Sequence, residues 1–154
     1  THNRETVTAM DDRADPYDLH RFVEAQDPVI DQVKKELRSG RKRSHWMWFV
    51  FPQVAGLGSS QLAQRYAISS RDEAEAYLAH PVLGPRLREC TELVLDIDGR
   101  SANDIFGSPD DMKFRSSMTL FDAVTDGPTP FTAALSQYYD GEPDENTLQF
   151  LADA

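Results

Sequence analysis

Residues able to do chemistry fall in three short stretches of this chain. In the first, Arg41-Lys42-Arg43 passes through Ser44-His45 into Trp46-Met47-Trp48-Phe49-Val50-Phe51-Pro52-Gln53, a run that holds both tryptophans. Arginine meets phosphate or carboxylate with a planar fork, tryptophan offers a flat stacking face and an indole donor, and histidine exchanges protons near neutral pH. On that reading Arg41, Lys42 and Arg43 attract an anionic group while His45 and one tryptophan line its pocket; Arg43, His45, Trp48 and Gln53 are the ligand-binding candidates, and His45 is also a catalytic candidate. The competing reading makes Trp46 and Trp48 core anchors and the basic residues a solvated turn, because an apolar block is usually core.

The second stretch is Gly56-Leu57-Gly58-Ser59-Ser60. Its spaced glycines allow close backbone approach, and free amides entering a helix at the serines can hold an anion, which makes Gly56, Gly58 and Ser59 ligand-binding candidates. A plain turn followed by a cap explains the same residues. No Gly-Lys-Ser/Thr follows and no βαβ pattern surrounds it, so neither a phosphate-binding loop nor a dinucleotide fingerprint is present. The third stretch runs from Asp110 to Thr119. On a helix Lys113 and Ser117 share a face one turn apart, as do Asp110 and Lys113. Lys113 and Ser117 then bind phosphate or carboxylate, with Asp110 or Asp111 as a general base and Asp111 the second catalytic candidate. The alternative is a surface ion pair with serines facing another helix.

Other chemistries lack their residues. The four histidines are scattered without metal-ligand spacing and one cysteine cannot complete a zinc site, so no metal and no cofactor is implied. No Gly-x-Ser-x-Gly elbow occurs. Cys90 falls on an apolar helix face and reads as a small buried hydrophobe.

The elements that must position these stretches are helices. Asp27-Pro28 supplies an N-cap and an N1 proline before Ile30, Val33 and Leu37, and Gly40 suits the left-handed residue that ends a helix. His45 to Phe51 shows no polar alternation. No other segment offers it a partner strand, so a short buried helix or an irregular core segment ending at Pro52 is expected. Ser59 or Ser60 caps the next helix, Ser70 with Glu73 forms a capping box, and Ser101 caps a short turn. Residues 81–97 carry a nearly continuous three-four apolar repeat, interrupted at Gly84-Pro85, and predict the central helix. Ser108-Pro109-Asp110-Asp111 opens another helix. Two more close the chain, the last with Leu148 and Leu151 facing inward. The expected fold is therefore all-α: a single helical domain over 16–154 of about seven to nine short helices with one buried aromatic segment, preceded by a flexible arm at 1–15.

At 154 residues such a chain buries about two thirds of its unfolded surface. A formal net charge of -10 argues against general nucleic-acid binding, which needs a basic field against phosphates. One cysteine, no signal-peptide pattern and no apolar run of membrane-spanning length point to a cytoplasmic protein with no membrane partner.

The basic-aromatic run, the Gly56-Leu57-Gly58-Ser59-Ser60 loop with Arg65-Tyr66-Ala67-Ile68, and Lys113 to Phe121 together resemble one bacterial group. It is the domain of unknown function numbered eighteen-ten, which often carries the label calpastatin. The resemblance spans roughly Asp15 to Leu151 and implies an all-helical single domain. The calpastatin label does not suit the pattern: calpain inhibitors of that name work through disordered repeated segments, whereas this chain is non-repetitive and patterned to fold. A looser similarity, at the level of fold, is to small helical hydrolases of ADP-ribose and related N-glycosides. The function expected is thus a pocket for a phosphorylated or nucleotide-like (ADP-ribose-like) small molecule, with N-glycoside hydrolysis as its reaction. A non-enzymatic protein-interaction or regulatory module is the alternative.

Overall fold

The computed structural model describes residues 15–57 and 60–153. The expected arm at 1–15 falls outside the described residues except for Asp15, and Gly58 and Ser59 lie outside them as well. The described chain holds ten α-helices in the order α1 (His20–Gln26), α2 (Ile30–Arg38), α3 (Met47–Val50), α4 (Gln61–Arg65), α5 (Arg71–Ala79), α6 (Leu83–Leu95), α7 (Ala102–Phe106), α8 (Asp110–Ala123), α9 (Pro130–Tyr139) and α10 (Glu145–Asp153). Ten is slightly more than the seven to nine expected, and the aromatic segment is among them, as the single helical turn α3. Among the described residues there is no β-strand, only an isolated parallel bridge between Val54 and Ile68.

The centre of the fold is α8 rather than the predicted helix over 81–97. It packs against α9, α10, α7, α5 and α3, and every residue from Ser116 to Phe121 is buried. A helix enclosed on all sides loses the apolar stripe that marks a surface helix, which is why α6 stands out in the sequence and α8 does not. Two of the polar residues inside α8 bond to the carbonyl one turn before them. Ser116 donates to the Met112 carbonyl (3.1 Å), and Thr119 to that of Arg115 (2.8 Å) while accepting from the Asp144 amide (2.8 Å).

Phe114 of α8 ties the neighbouring elements together. Its ring lies edge-on to Phe51 at 4.9 Å and stacks on Phe106 at 4.6 Å, so the ends of α3 and α7 are fixed to the central helix. Full burial of such a side chain stabilises by about 1.5–3 kcal/mol. Elsewhere Gly84 brings two helices close: a Cβ at that position would stand 2.2 Å from the Leu78 carbonyl oxygen.

Several helix ends differ from the sequence expectation. α2 begins at Ile30 with no side-chain cap, because Asp27 instead ends α1 and pairs with Arg86 (2.9 Å). α8 begins at Asp110, with Pro109 at the N-cap position, so Ser108 does not cap it. Ser70 accepts from the Glu73 amide, but the Glu73 carboxylate turns to Ser69 and Arg21 and does not complete the box. Ser101 and Asp104 do form a full capping box. In α10, Leu151 is buried as expected whereas Leu148 is exposed. Among the described residues no helix is long and apolar enough to cross a membrane.

Candidate functional site

The basic loop after α2 is built around a carboxylate. Gly40 leaves the helix with φ at +81°, a conformation open to glycine, and the chain doubles back over Glu36. Glu36 is 2% exposed and meets no cation among the described residues. Its Oε1 accepts from the Arg43 amide (2.7 Å), the Ser44 amide (3.0 Å) and the Trp46 indole Nε1 (2.9 Å). Its Oε2 accepts from the Ser44 hydroxyl and from Gln32 Nε2 (2.9 Å). Burial alone would raise this carboxyl, but the Ser44, Arg43, Gln32 and Trp46 donors outweigh burial and lower it from 4.5 to about 2. A buried carboxylate thus sets the path of the entire run from Arg41 to Trp46.

Because α3 is helical, the two tryptophans part company. Trp46 sinks into the core at 1% exposure, whereas Trp48 stays half-buried with the Lys113 ammonium 4.8 Å from its ring centre. Trp48, Gln53, Tyr66 and Lys113 line a narrow cleft floored by Met47 and Phe51. Its cavity is about 10 Å³, room for about one water. The Gln53 carbonyl accepts from the Ile68 amide (2.9 Å), which fixes the residue, while its side-chain amide has no partner among the described residues. Beside the cleft, Asp110 binds Lys42 (2.8 Å) and Lys113 (3.3 Å) at once. Lys42 in turn lies 5.2 Å from the Trp46 ring centre. Two ammonium groups share one carboxylate, which leaves a net positive charge next to two indoles.

Of the residues expected from the sequence, the structure brings together Trp48, Gln53 and Lys113. Arg43 and His45 are exposed and form no part of the cleft wall. Asp111 turns away: its carboxylate accepts from Asn103 (3.3 Å) and from the Met112 amide (2.9 Å). Ser117 is fully buried one turn below Lys113, with a hydroxyl that finds no partner among the described residues. Gly56 is exposed at φ +91° with nothing within 4 Å of its Cβ position, so it serves the turn and not a close approach. Ser60 caps α4 by accepting from the Ala63 amide (3.1 Å).

Sequence reasoning missed Glu36 and Tyr66, and it read Lys42 as one of three anion-attracting basic residues without foreseeing its pairing with Asp110. For Glu36 a signal existed, since a carboxylate at 36 interrupts the apolar stripe of Val33 and Leu37. Tyr66 packs on Phe49 at 5.4 Å between ring centres, a long-range placement that no spacing discloses. Among the described residues no group of three or more His, Cys, Asp or Glu side chains is placed to hold a metal ion.

Fold and cleft together define an all-helical protein with a lysine-tryptophan cleft beside a carboxylate-centred loop. The chain belongs to the family described as "Protein of unknown function (DUF1810)", whose model matches residues 16–151. It is also similar to a solved structure, that of the conserved hypothetical protein Rv1873 from Mycobacterium tuberculosis. The two are 61% identical with a TM-score of 0.88, over 90% of this chain and 99% of that one. A comparison with curated proteins finds no match.

Proposed function

We propose that this protein binds a small anionic, ring-bearing molecule of nucleotide or ADP-ribose type at the cleft between Trp48 and Lys113. The observation that carries the reading is the pairing of Lys113 with Asp110 and with the face of Trp48. At about 10 Å³ the cleft admits a ring only if the lysine moves off the indole. Lysine has a flexible four-carbon stem, so its ammonium can exchange the indole for a ligand oxygen while the ligand ring takes the vacated stacking face. The unpaired Gln53 amide is placed to hydrogen-bond the ring edge.

Binding is better supported than N-glycoside hydrolysis. His45 stands outside the cleft, Asp111 faces Asn103, and Asp110 is occupied by two lysines, so among the described residues no free general base faces the cleft. Hydrolysis at this site requires Asp110 to be released from at least one lysine.

Thermal-shift measurements against nucleotides, ADP-ribose, sugar phosphates and simple anions test the reading with wild type, Lys113→Ala and Trp48→Ala. A ligand bound only by the folded state at about 100 times its Kd stabilises by about 2.7 kcal/mol and raises the midpoint. The expected result is a shift with a ring-bearing anion that both variants lose while remaining folded. No shift across the panel, or a shift that both variants keep, overturns it.

A further inference from the structure

A second, larger concavity lies on the other side of Lys42. It is an open groove of about 410 Å³ between the basic loop and the segment around α7, with Arg41, Lys42, Arg100, Asn103 and Asp104 on its walls. The volume falls within the roughly 300–1,000 Å³ typical of small-molecule sites. Ile105 and Phe106 close the floor and are rooted in the core at 1% and 6% exposure.

The groove is held by backbone and not by its charges. The Lys42 amide donates to the Ile105 carbonyl (2.7 Å), which locks the loop to α7. A Cβ on Gly40 would meet Arg100 Nε at 3.3 Å, so the Arg100 side chain lies against the backbone one residue before Arg41. Among the described residues neither Arg41 nor Arg100 has an ion pair or a side-chain hydrogen bond, and both are exposed. By contrast Arg21, Arg86 and Arg115 are each paired with a carboxylate. The carboxylate on the groove wall, Asp104, is engaged by the Ser101 amide in the capping box (3.0 Å); it also feels the Arg100 charge, though the two form no ion pair. Two guanidinium forks with no ion pair among the described residues therefore meet in one groove of a chain whose net charge is -10, while the Lys42 ammonium is already held by Asp110.

We infer that this groove is an anion site for the phosphate groups of a phosphorylated small molecule, with Arg41 and Arg100 as its two recognition forks. Planar guanidinium groups match phosphate oxygens in pairs, which a lone ammonium does not. Lys42 stands on the groove wall while its ammonium holds Asp110, so it links this site to the cleft at Lys113. Occupation of the groove does not depend on a ring entering that cleft.

Inorganic pyrophosphate, which has no ring, separates the two sites. Isothermal titration at low ionic strength is the measurement, using wild type, Arg41→Gln, Arg100→Gln, Arg100→Lys and Lys113→Ala, with chloride at matched ionic strength as the control. The expected result is saturable binding weakened at least tenfold in each glutamine variant and retained in Lys113→Ala. Arg100→Lys keeps the charge but loses the fork, and is expected to weaken binding as well. Binding no stronger than that of chloride overturns the assignment. So does binding unchanged in both glutamine variants, or binding lost in Lys113→Ala alone, which would place the anion in the cleft.

Discussion

Replacing Glu36 by glutamine isolates the role of one buried negative charge. The Ser44 hydroxyl and the Gln32 amide can both reverse to accept hydrogen bonds, so Glu36→Gln can keep every partner if its NH2 takes the place of Oε2. What it loses is the charge, and charge-assisted hydrogen bonds are roughly twice as strong as neutral ones. The folded-state value is depressed from 4.5 to about 2, so the stabilisation is complete above the unfolded value and disappears as pH falls through that window. The full shift corresponds to about 3 kcal/mol at neutral pH, about 2 kcal/mol near pH 3.5 and less than about 1 kcal/mol near pH 2.5. Urea unfolding of wild type and Glu36→Gln across that range, followed by tryptophan fluorescence, measures the difference directly. Other carboxylates titrate equally in both proteins and cancel. A difference below about 0.5 kcal/mol at neutral pH, or one that does not shrink on acidification, refutes the account of how the loop is held.

Two further substitution and labelling experiments test the packing. Gly84→Ala sets helix propensity, which favours alanine by about 1 kcal/mol, against a methyl 2.2 Å from the Leu78 carbonyl. Overpacking, at the upper end of about 1–3 kcal/mol, wins, and a net loss of about 2 kcal/mol in urea unfolding is expected; a more stable variant would show that α5 and α6 do not approach as described. Cys90 is fully buried, and that burial pushes its thiol up to about 12, so it stays protonated and shielded near neutral pH. A thiol reagent should modify it at least about a thousandfold more slowly in the folded protein than in urea, and fast labelling without unfolding would contradict its placement.

The helical class and most helix positions were legible because capping serines and three-four apolar spacing are local signals. Ser101 with Asp104 and the left-handed Gly40 are examples, each readable within a few residues. Where competing partners lie far along the chain, local reading failed. Asp27 offered an N-cap but is drawn to Arg86, and Glu73 leaves its box for Arg21. The candidate site followed the same division. Trp48, Gln53 and Lys113 are unusual enough in type to be singled out, and the structure brings them to one cleft. His45, Asp111 and Arg43 carried equal chemical promise, but the path of the loop at Arg43 and His45 is set by the buried Glu36 and the direction of Asp111 by its place on α8, and neither can be deduced from residue type. The choice between Asp110 and Asp111 is a single step of helix rotation. It decides which carboxylate meets the lysines.

The Glu36 carboxylate grips the loop through the main-chain amides of residues 43 and 44, a hydroxyl and an indole, and never through a guanidinium. Positions 41 and 43 therefore contribute their backbone amides, and any residue except proline supplies those: the path of the chain there does not rest on a guanidinium. The scaffold dictates Glu36, Gly40, Ser44 and Trp46 and leaves the charge displayed at 41 and 43 free to be rewritten. A pool of variants randomised at those two positions is thus a ready-made panel of one fold with many surface chemistries, in which recognition can be altered without re-solving the folding problem.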